Sequence, residues 1–148
     1  MKNKIILDIL DKKLKRYYPL RNDNPPPDGW IFAIRSSLRM SLRHIAKKMC
    51  ITPQSVKDIE RREKRGAVTL QAMKQVADAM DMHFVYAIVP KEANIYKYIE
   101  KKALEAAVRL YAKSSGTENI QEKNMQSDTY IKIRAKSLAS DLPKFLWE

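Results

Sequence analysis

The run SLRHIAKKMCITPQSVKDIERREKRG at residues 41–66 narrows the fold most, because it starts a helix, stops it and starts another within a few residues. Ser41 can accept a first-turn N–H and so caps a helix whose apolar stripe is Leu42, Ile45, Ala46 and Met49. Thr52 caps the next helix, and Pro53 suits its first turn, where the missing N–H would be unpaired anyway. Gly66 is the natural residue to end it. Only Met49, Cys50 and Ile51 remain for the turn, so the helices must cross closely, with Ala46 as the small residue at the crossing. Val56 and Ile59 bury one side of the second helix. At about 100° per residue, the other side carries Gln54, Ser55, Lys57, Asp58, Arg61 and Arg62.

The flanking sequence extends this pair into a mainly α chain. Residues 3–18 form an expected helix with Ile5, Ile6, Ile9, Leu10 and Leu14 on one side and Lys12, Lys13, Lys15 and Arg16 on the other. The proline-rich YYPLRNDNPPPDG that follows reads as an extended linker, which bounds a first region at 1–27. A domain over 28–90 then opens with a helix capped by Asp28, with Trp30, Ile31, Ile34 and Leu38 facing inward. Thr69 starts a further helix through Leu70, Met73, Val76, Ala77 and Met80. HFVYAIVP at 83–90 is a continuous β-branched and aromatic run ended by proline, and is expected to be a short strand buried on both faces. One strand cannot satisfy its own backbone. Its partner is either the same strand of a second subunit, the preferred reading, or the weaker TYIKI at 129–133. Residues 91–148 form a helical extension: an amphipathic helix at 93–113, a polar segment to about 128, and a last helix that stops before Pro143 and Phe145-Leu146-Trp147.

The chain of 148 residues is large enough to bury roughly two-thirds of its unfolded surface without a covalent staple. One cysteine excludes an internal disulfide framework, and two histidines at no ligand spacing leave no metal motif. With only three glycines there is no phosphate-cradling loop, and no nucleophile has a neighbouring base; the chain reads as no enzyme and as needing no cofactor. Asp8 interrupts an N-terminal apolar run too short for a signal core, and no apolar stretch approaches about 18 residues, so a cytoplasmic protein with no membrane partner is expected.

Net charge is +12, unevenly placed. Residues 1–66 hold 17 Lys and Arg against 7 Asp and Glu, whereas residues 67–148 hold 12 against 10. The surplus therefore lies in the half that contains the helix pair, which favours a polyanionic partner. More telling than charge is its order along the second helix. An amide, a hydroxyl and a carboxylate come first and most cations later, which suits base reading by Gln54, Ser55, Lys57 and Asp58 and phosphate contact by Arg61, Arg62, Lys64 and Arg65. Arg43, His44, Lys47 and Lys48 on the preceding helix are further candidates for phosphate. Cys50 is expected to be a small buried hydrophobe rather than a redox switch.

SLRHIAKKMCITPQSVKDIE resembles the Xre/Cro-type helix-turn-helix family, and together with PPPDGWIFAIR before it and VTLQAMKQVADAMDMHFVYAIVP after it is similar to the family called mobile mystery protein A. The resemblance covers about residues 25–90 well and the tails loosely. It implies an Xre-type DNA-binding regulator that represses its own operon and is encoded beside a Fic-domain partner, an arrangement like toxin and antitoxin. It also implies a structural ion pair between Arg35 and Glu60. The sequence departs from the family pattern at Cys50, which replaces the turn glycine, and at Leu42 and Pro53. SSGTEN is similar to a pattern found in inhibitory helices of Fic partners, through Ser114, Glu118 and Asn119. Phe145 and Trp147 either join those residues in partner contact or pack against their own domain. A homodimer is expected.

Overall fold

The structure is a computed structural model and describes residues 2–115 and 125–147. It is mainly helical: α1 (Lys2–Leu14), α2 (Trp30–Ser37), α3 (Leu42–Met49), α4 (Pro53–Lys64), α5 (Leu70–Ala79), α6 (Ile95–Ser115) and α7 (Met125–Asp141), with short 3₁₀ turns at Tyr18–Asn22 and Lys144–Trp147. The chain divides into two compact units, one over Asn22–Tyr86 and one formed by Met1–Arg21 with Ala87–Glu148.

In the Asn22–Tyr86 unit the helix starts follow local chemistry. Ser41, Thr52 and Thr69 each sit in extended backbone and accept the N–H three residues on, from His44, Ser55 and Ala72 at 3.1 Å. Gly66 takes the left-handed conformation just beyond α4, while the Ala67 N–H reaches the Arg62 carbonyl at 2.8 Å and closes the end. The four helices bury Ile31, Ile45, Ala46, Val56, Ile59, Met73, Val76, Ala79 and Met80 in one core. At roughly 1.5–3 kcal/mol per large apolar side chain, this core is the main source of the unit's stability.

α2 starts differently from expectation. Its cap residue is Gly29, with no side-chain cap, and Asp28 instead pairs with Lys64 at 2.6 Å. The open N–H groups of Trp30 and Ile31 are taken by the Glu63 carboxylate at 2.7 and 3.0 Å, so a residue of α4 caps α2. Gly29 has φ of 86°, and a Cβ there would meet Glu63 side-chain atoms at 2.8 Å. Trp30 and Leu38, expected inside, are exposed.

Two further expectations fail. Residues 83–90 form no strand, and Val85 and Ile88 are exposed rather than buried on two faces; β propensity supplies no partner, and within one chain this segment finds none among the described residues. TYIKI at 129–133 lies inside α7.

The second unit packs α6 against α7 around Ala103, Ala106, Ala107, Leu138 and Leu146. Small alanines allow close approach of the two helices. α1 joins this unit with its acids inward. Tyr96 donates to Asp8, Tyr18 donates to Asp11 at 2.6 Å, and the Ile95 N–H donates to the Tyr18 hydroxyl at 3.2 Å. The hydrogen bond to Asp8, aided by desolvation, pushes the Tyr96 phenol up to about 12; desolvation, then the bond to Asp11, raises Tyr18 as well. The Arg21 guanidinium spans the carbonyls of Lys91, Glu92 and Ala93. As a consequence Ile5, Ile6, Ile9 and Leu10, the apolar stripe expected on one side of this helix, are exposed.

Glu63→Ala is expected to lower stability by about 1–2 kcal/mol, as for loss of a helix cap. Gly29→Ala should cost more, because it adds left-handed backbone strain to the clash. Urea unfolding of both variants checks this, and an unchanged midpoint for Glu63→Ala would refute the capping role.

Candidate nucleic-acid interface

The turn between α3 and α4 is built on Cys50, which adopts φ 54° and ψ 40°. A residue with a Cβ is uncommon there and costs roughly 1 kcal/mol relative to glycine. Two backbone bonds hold it: the Ile51 N–H to the Ala46 carbonyl at 3.0 Å and the Cys50 N–H to the Lys47 carbonyl at 3.3 Å. Cys50 is exposed, contrary to the expectation of burial, because a left-handed residue closing a helix points away from the core.

Beyond the turn, α4 has two distinct sides. Val56, Ile59 and Glu60 are buried, while Gln54, Lys57, Asp58, Arg61 and Arg62 are exposed. The expected polar side therefore lies together on one helix surface. Ser55 is set apart from it: half-buried, its hydroxyl pairs with Thr52 Oγ1 at 2.8 Å and so belongs to the cap.

The exposed polar side chains are also tied to one another. Gln54 Nε2 donates to Asp58 Oδ1 at 3.1 Å, and an Arg61 guanidinium nitrogen donates to the same oxygen at 3.4 Å. The shared carboxylate leaves the Gln54 amide with one free N–H and its carbonyl, a donor and an acceptor side by side. Asp58 thus orients its neighbours more than it offers a free acceptor. Arg61, Arg62, Lys64 and Arg65 surround a shallow open concavity at the end of α4, with Asp58 the one acid in its lining.

On α3, Arg43, His44, Lys47 and Lys48 are all exposed. Lys48 is already engaged: its Nζ lies 2.6 Å from Asp81 Oδ2. That bond, with the charge of Lys48, holds the Asp81 carboxyl below its usual range.

Arg35 and Glu60 fix how α4 sits. Arg35 Nε lies 2.5 Å from Glu60 Oε1 and a terminal guanidinium nitrogen 3.3 Å from Oε2, while another donates to the Met40 carbonyl at 3.2 Å. Both side chains are largely buried, and the guanidinium also stands 5.4 Å from the Phe32 ring centroid. One fork therefore joins α2, α4 and the turn that leads into α3.

In the second unit, Ser114 closes α6 by donating its hydroxyl to the Tyr111 carbonyl at 2.9 Å. Glu118 and Asn119 lie outside the described residues. Leu146 is buried, whereas Phe145 and Trp147 are exposed, with Trp147 stacked on Tyr98 at a centroid distance of 5.9 Å. No cluster of three or more His, Cys, Asp or Glu side chains suited to a metal occurs among the described residues, and none of their helices is long and apolar enough to cross a membrane.

Sequence reasoning missed Glu63 and Asp81. Glu63 stood in a charged run with nothing to single it out, and Asp81 became visible only when the chain returned beside Lys48. Compared with known proteins, the chain matches no family model, no curated protein and no solved structure.

Arg35→Ala strands the buried Glu60 carboxylate and is expected to cost about 3–5 kcal/mol. Arg35→Lys should recover little of this, because an ammonium cannot span both carboxylate oxygens and the Met40 carbonyl. Calorimetric unfolding measures both; a loss under about 1 kcal/mol for Arg35→Ala would remove the structural role of the pair.

Proposed function

We propose that this chain is a sequence-specific DNA-binding regulator of the Xre/Cro helix-turn-helix type, which represses its own operon. The observation that carries the reading is the side of α4 that joins an oriented amide, Gln54, to a cluster of cations while the opposite side is locked into the core. In this reading α4 enters the major groove, Gln54 pairs with adenine through its free N–H and carbonyl, and Arg62, Lys64 and Arg65 with Arg43 and Lys47 hold phosphates. Lys57 adds a second base contact, and His44 and Lys48 lie at the edge of the phosphate surface. Asp58 and Ser55 act indirectly, the first by orienting Gln54 and Arg61 and the second through the helix cap.

A Fic-domain protein is the proposed partner, on the resemblance noted above. A second reading makes neutralisation of that partner the main task. It is favoured by a specific observation: α6, α7 and the exposed Phe145 and Trp147 belong to a compact unit separate from the one that carries α4. Titration of the chain against its own upstream region and against scrambled duplex, at two salt concentrations, separates the readings. Equal affinity for both duplexes would reject base reading and leave the partner-binding role or non-specific binding.

In the same titration Gln54→Ala is expected to cost about 1–3 kcal/mol on the preferred sequence and to relax preference at one base pair. Loss of equal size on scrambled duplex would place Gln54 on the phosphate backbone instead.

Asp81→Asn is expected to have the opposite sign. It releases Lys48 for a phosphate, so affinity should rise on every sequence and the slope of log K against log salt should steepen by up to about 0.9. An unchanged slope would exclude Lys48 from the DNA surface.

A further inference from the structure

Both acids of α1 are used within its own unit: Asp8 accepts from Tyr96 and Asp11 from Tyr18. They are the only Asp or Glu between residues 4 and 16. The side turned away from them presents Ile5, Ile6, Ile9 and Leu10, at 60, 62, 52 and 39% exposure, and then the exposed Lys12 and Lys13. Neither lysine makes an ion pair among the described residues. Single exposed apolar side chains are ordinary, but four adjoining ones on one helix side make a patch of the kind that marks a contact surface.

The order of residues on this side restricts what can cover it. Ile5 with Ile9 and Ile6 with Leu10 stand four apart, so they form two parallel ridges of the kind that lie in the grooves of another helix. The ridges run for only about 8 Å along the axis before the ammonium groups begin. At about 100° per residue, Lys13 falls between Ile9 and Ile6 in direction and Lys12 falls beside Ile5. The cations therefore continue the apolar side instead of flanking it.

We propose that this side of α1 is a docking surface for an acidic amphipathic helix of a different protein. The partner helix packs antiparallel, with its apolar stripe on the isoleucines and its N-terminal carboxylates on Lys12 and Lys13. Carboxylates in a first helical turn are also favoured by the helix dipole, so one end of such a helix supplies the charge this surface lacks. Charge complementarity selects this occupant over the others. A second copy of α1 would set lysine against lysine, with no acid of its own left to offer. A bilayer would take the isoleucines, but Lys12 and Lys13, in line with them, would be drawn toward the hydrocarbon instead of resting at its edge. Nucleic acid would meet the lysines and leave the isoleucines against water.

Selection on the full chain without DNA tests the surface. A display library of helical peptides of about 16 residues, randomised on one side, is panned against the protein. Enriched peptides should carry apolar residues three and four apart and Asp or Glu in their first turns. A synthetic copy of one of them, followed by fluorescence anisotropy, should bind at least about tenfold more weakly to the Ile6→Gln, Ile9→Gln double variant. Helical circular dichroism should not change, because both positions are exposed and Gln suits a helix. Lys12→Glu with Lys13→Glu should abolish binding, and exchanging the peptide's acids for lysine should restore it, a reciprocal rescue that net positive charge alone cannot produce. Failure to enrich any peptide, enrichment without acids, or binding that survives these variants and is displaced by duplex overturns the proposal and leaves the DNA reading standing. So does a dimer that the isoleucine variants dissociate, which would assign the patch to a second copy. Phosphatidylglycerol vesicles that bind through the isoleucines while no peptide does would assign it to a bilayer and overturn the proposal equally.

Discussion

The pair between Arg35 and Glu60 is the contact on which the Asn22–Tyr86 unit depends. A carboxylate this far from water is tolerable only if its charge and lone pairs are met, and Arg35 meets both oxygens while also holding the Met40 carbonyl. The planar fork restricts rotation of α4 about its own axis as well as its distance from α2. Burial of Val56 and Ile59 drives α4 onto the core, but apolar contact alone is weakly directional. The ion pair gives that packing one orientation, and the direction in which Gln54, Asp58 and Arg61 point follows from it.

Glu63 adds a second tie between the same two helices. One turn beyond Glu60, it takes the open N–H groups at the start of α2, and the approach is close enough that a Cβ at position 29, where φ is 86°, would have to displace the Glu63 carboxylate. α4 thus holds α2 at the helix start through Glu63 and in its last turn through Glu60. Two acids on the inner side of a helix otherwise rich in exposed cations separate its structural charges from those left for a ligand. The exposed pair between Lys64 and Asp28 contributes little beside them, since solvent screens both partners.

Much of this was legible in the sequence wherever the chemistry is local. Ser41, Thr52 and Thr69 cap the helices that follow them because the accepting oxygen and the donating N–H are three residues apart, and that spacing can be read directly. The buried side of α4 was legible for the same reason, from the interval between Val56 and Ile59. What was not legible depends on a distant partner. The periodicity of Ile5, Ile6, Ile9 and Leu10 identifies a stripe but not the direction it faces, and bonds from Tyr96 and Tyr18 to Asp8 and Asp11 turn the acidic side inward. Residues 83–90 have strand composition, yet a strand exists only where another pairs with it. In the candidate site, the exposed positions Gln54, Lys57, Asp58, Arg61 and Arg62 were foreseen, whereas the capping role of Ser55 and the bonds that occupy Asp58 and Lys48 required the fold.

Those occupied charges bear on specificity. Of the five aspartates in the Asn22–Tyr86 unit, three are paired with cations: Asp28 with Lys64, Asp58 with Arg61 and Asp81 with Lys48. Their value to stability is small, because all are largely exposed. Their effect on a polyanionic ligand is larger. Every cation already neutralised is one fewer counterion released on binding, and non-specific affinity depends on that number almost alone. For the proposed DNA reader, the aspartates therefore lower affinity for arbitrary sequence, while Asp58 also holds the Gln54 amide in the orientation that a base edge would recognise. Discrimination improves from both directions: the background falls, and the base contact needs less ordering when it forms.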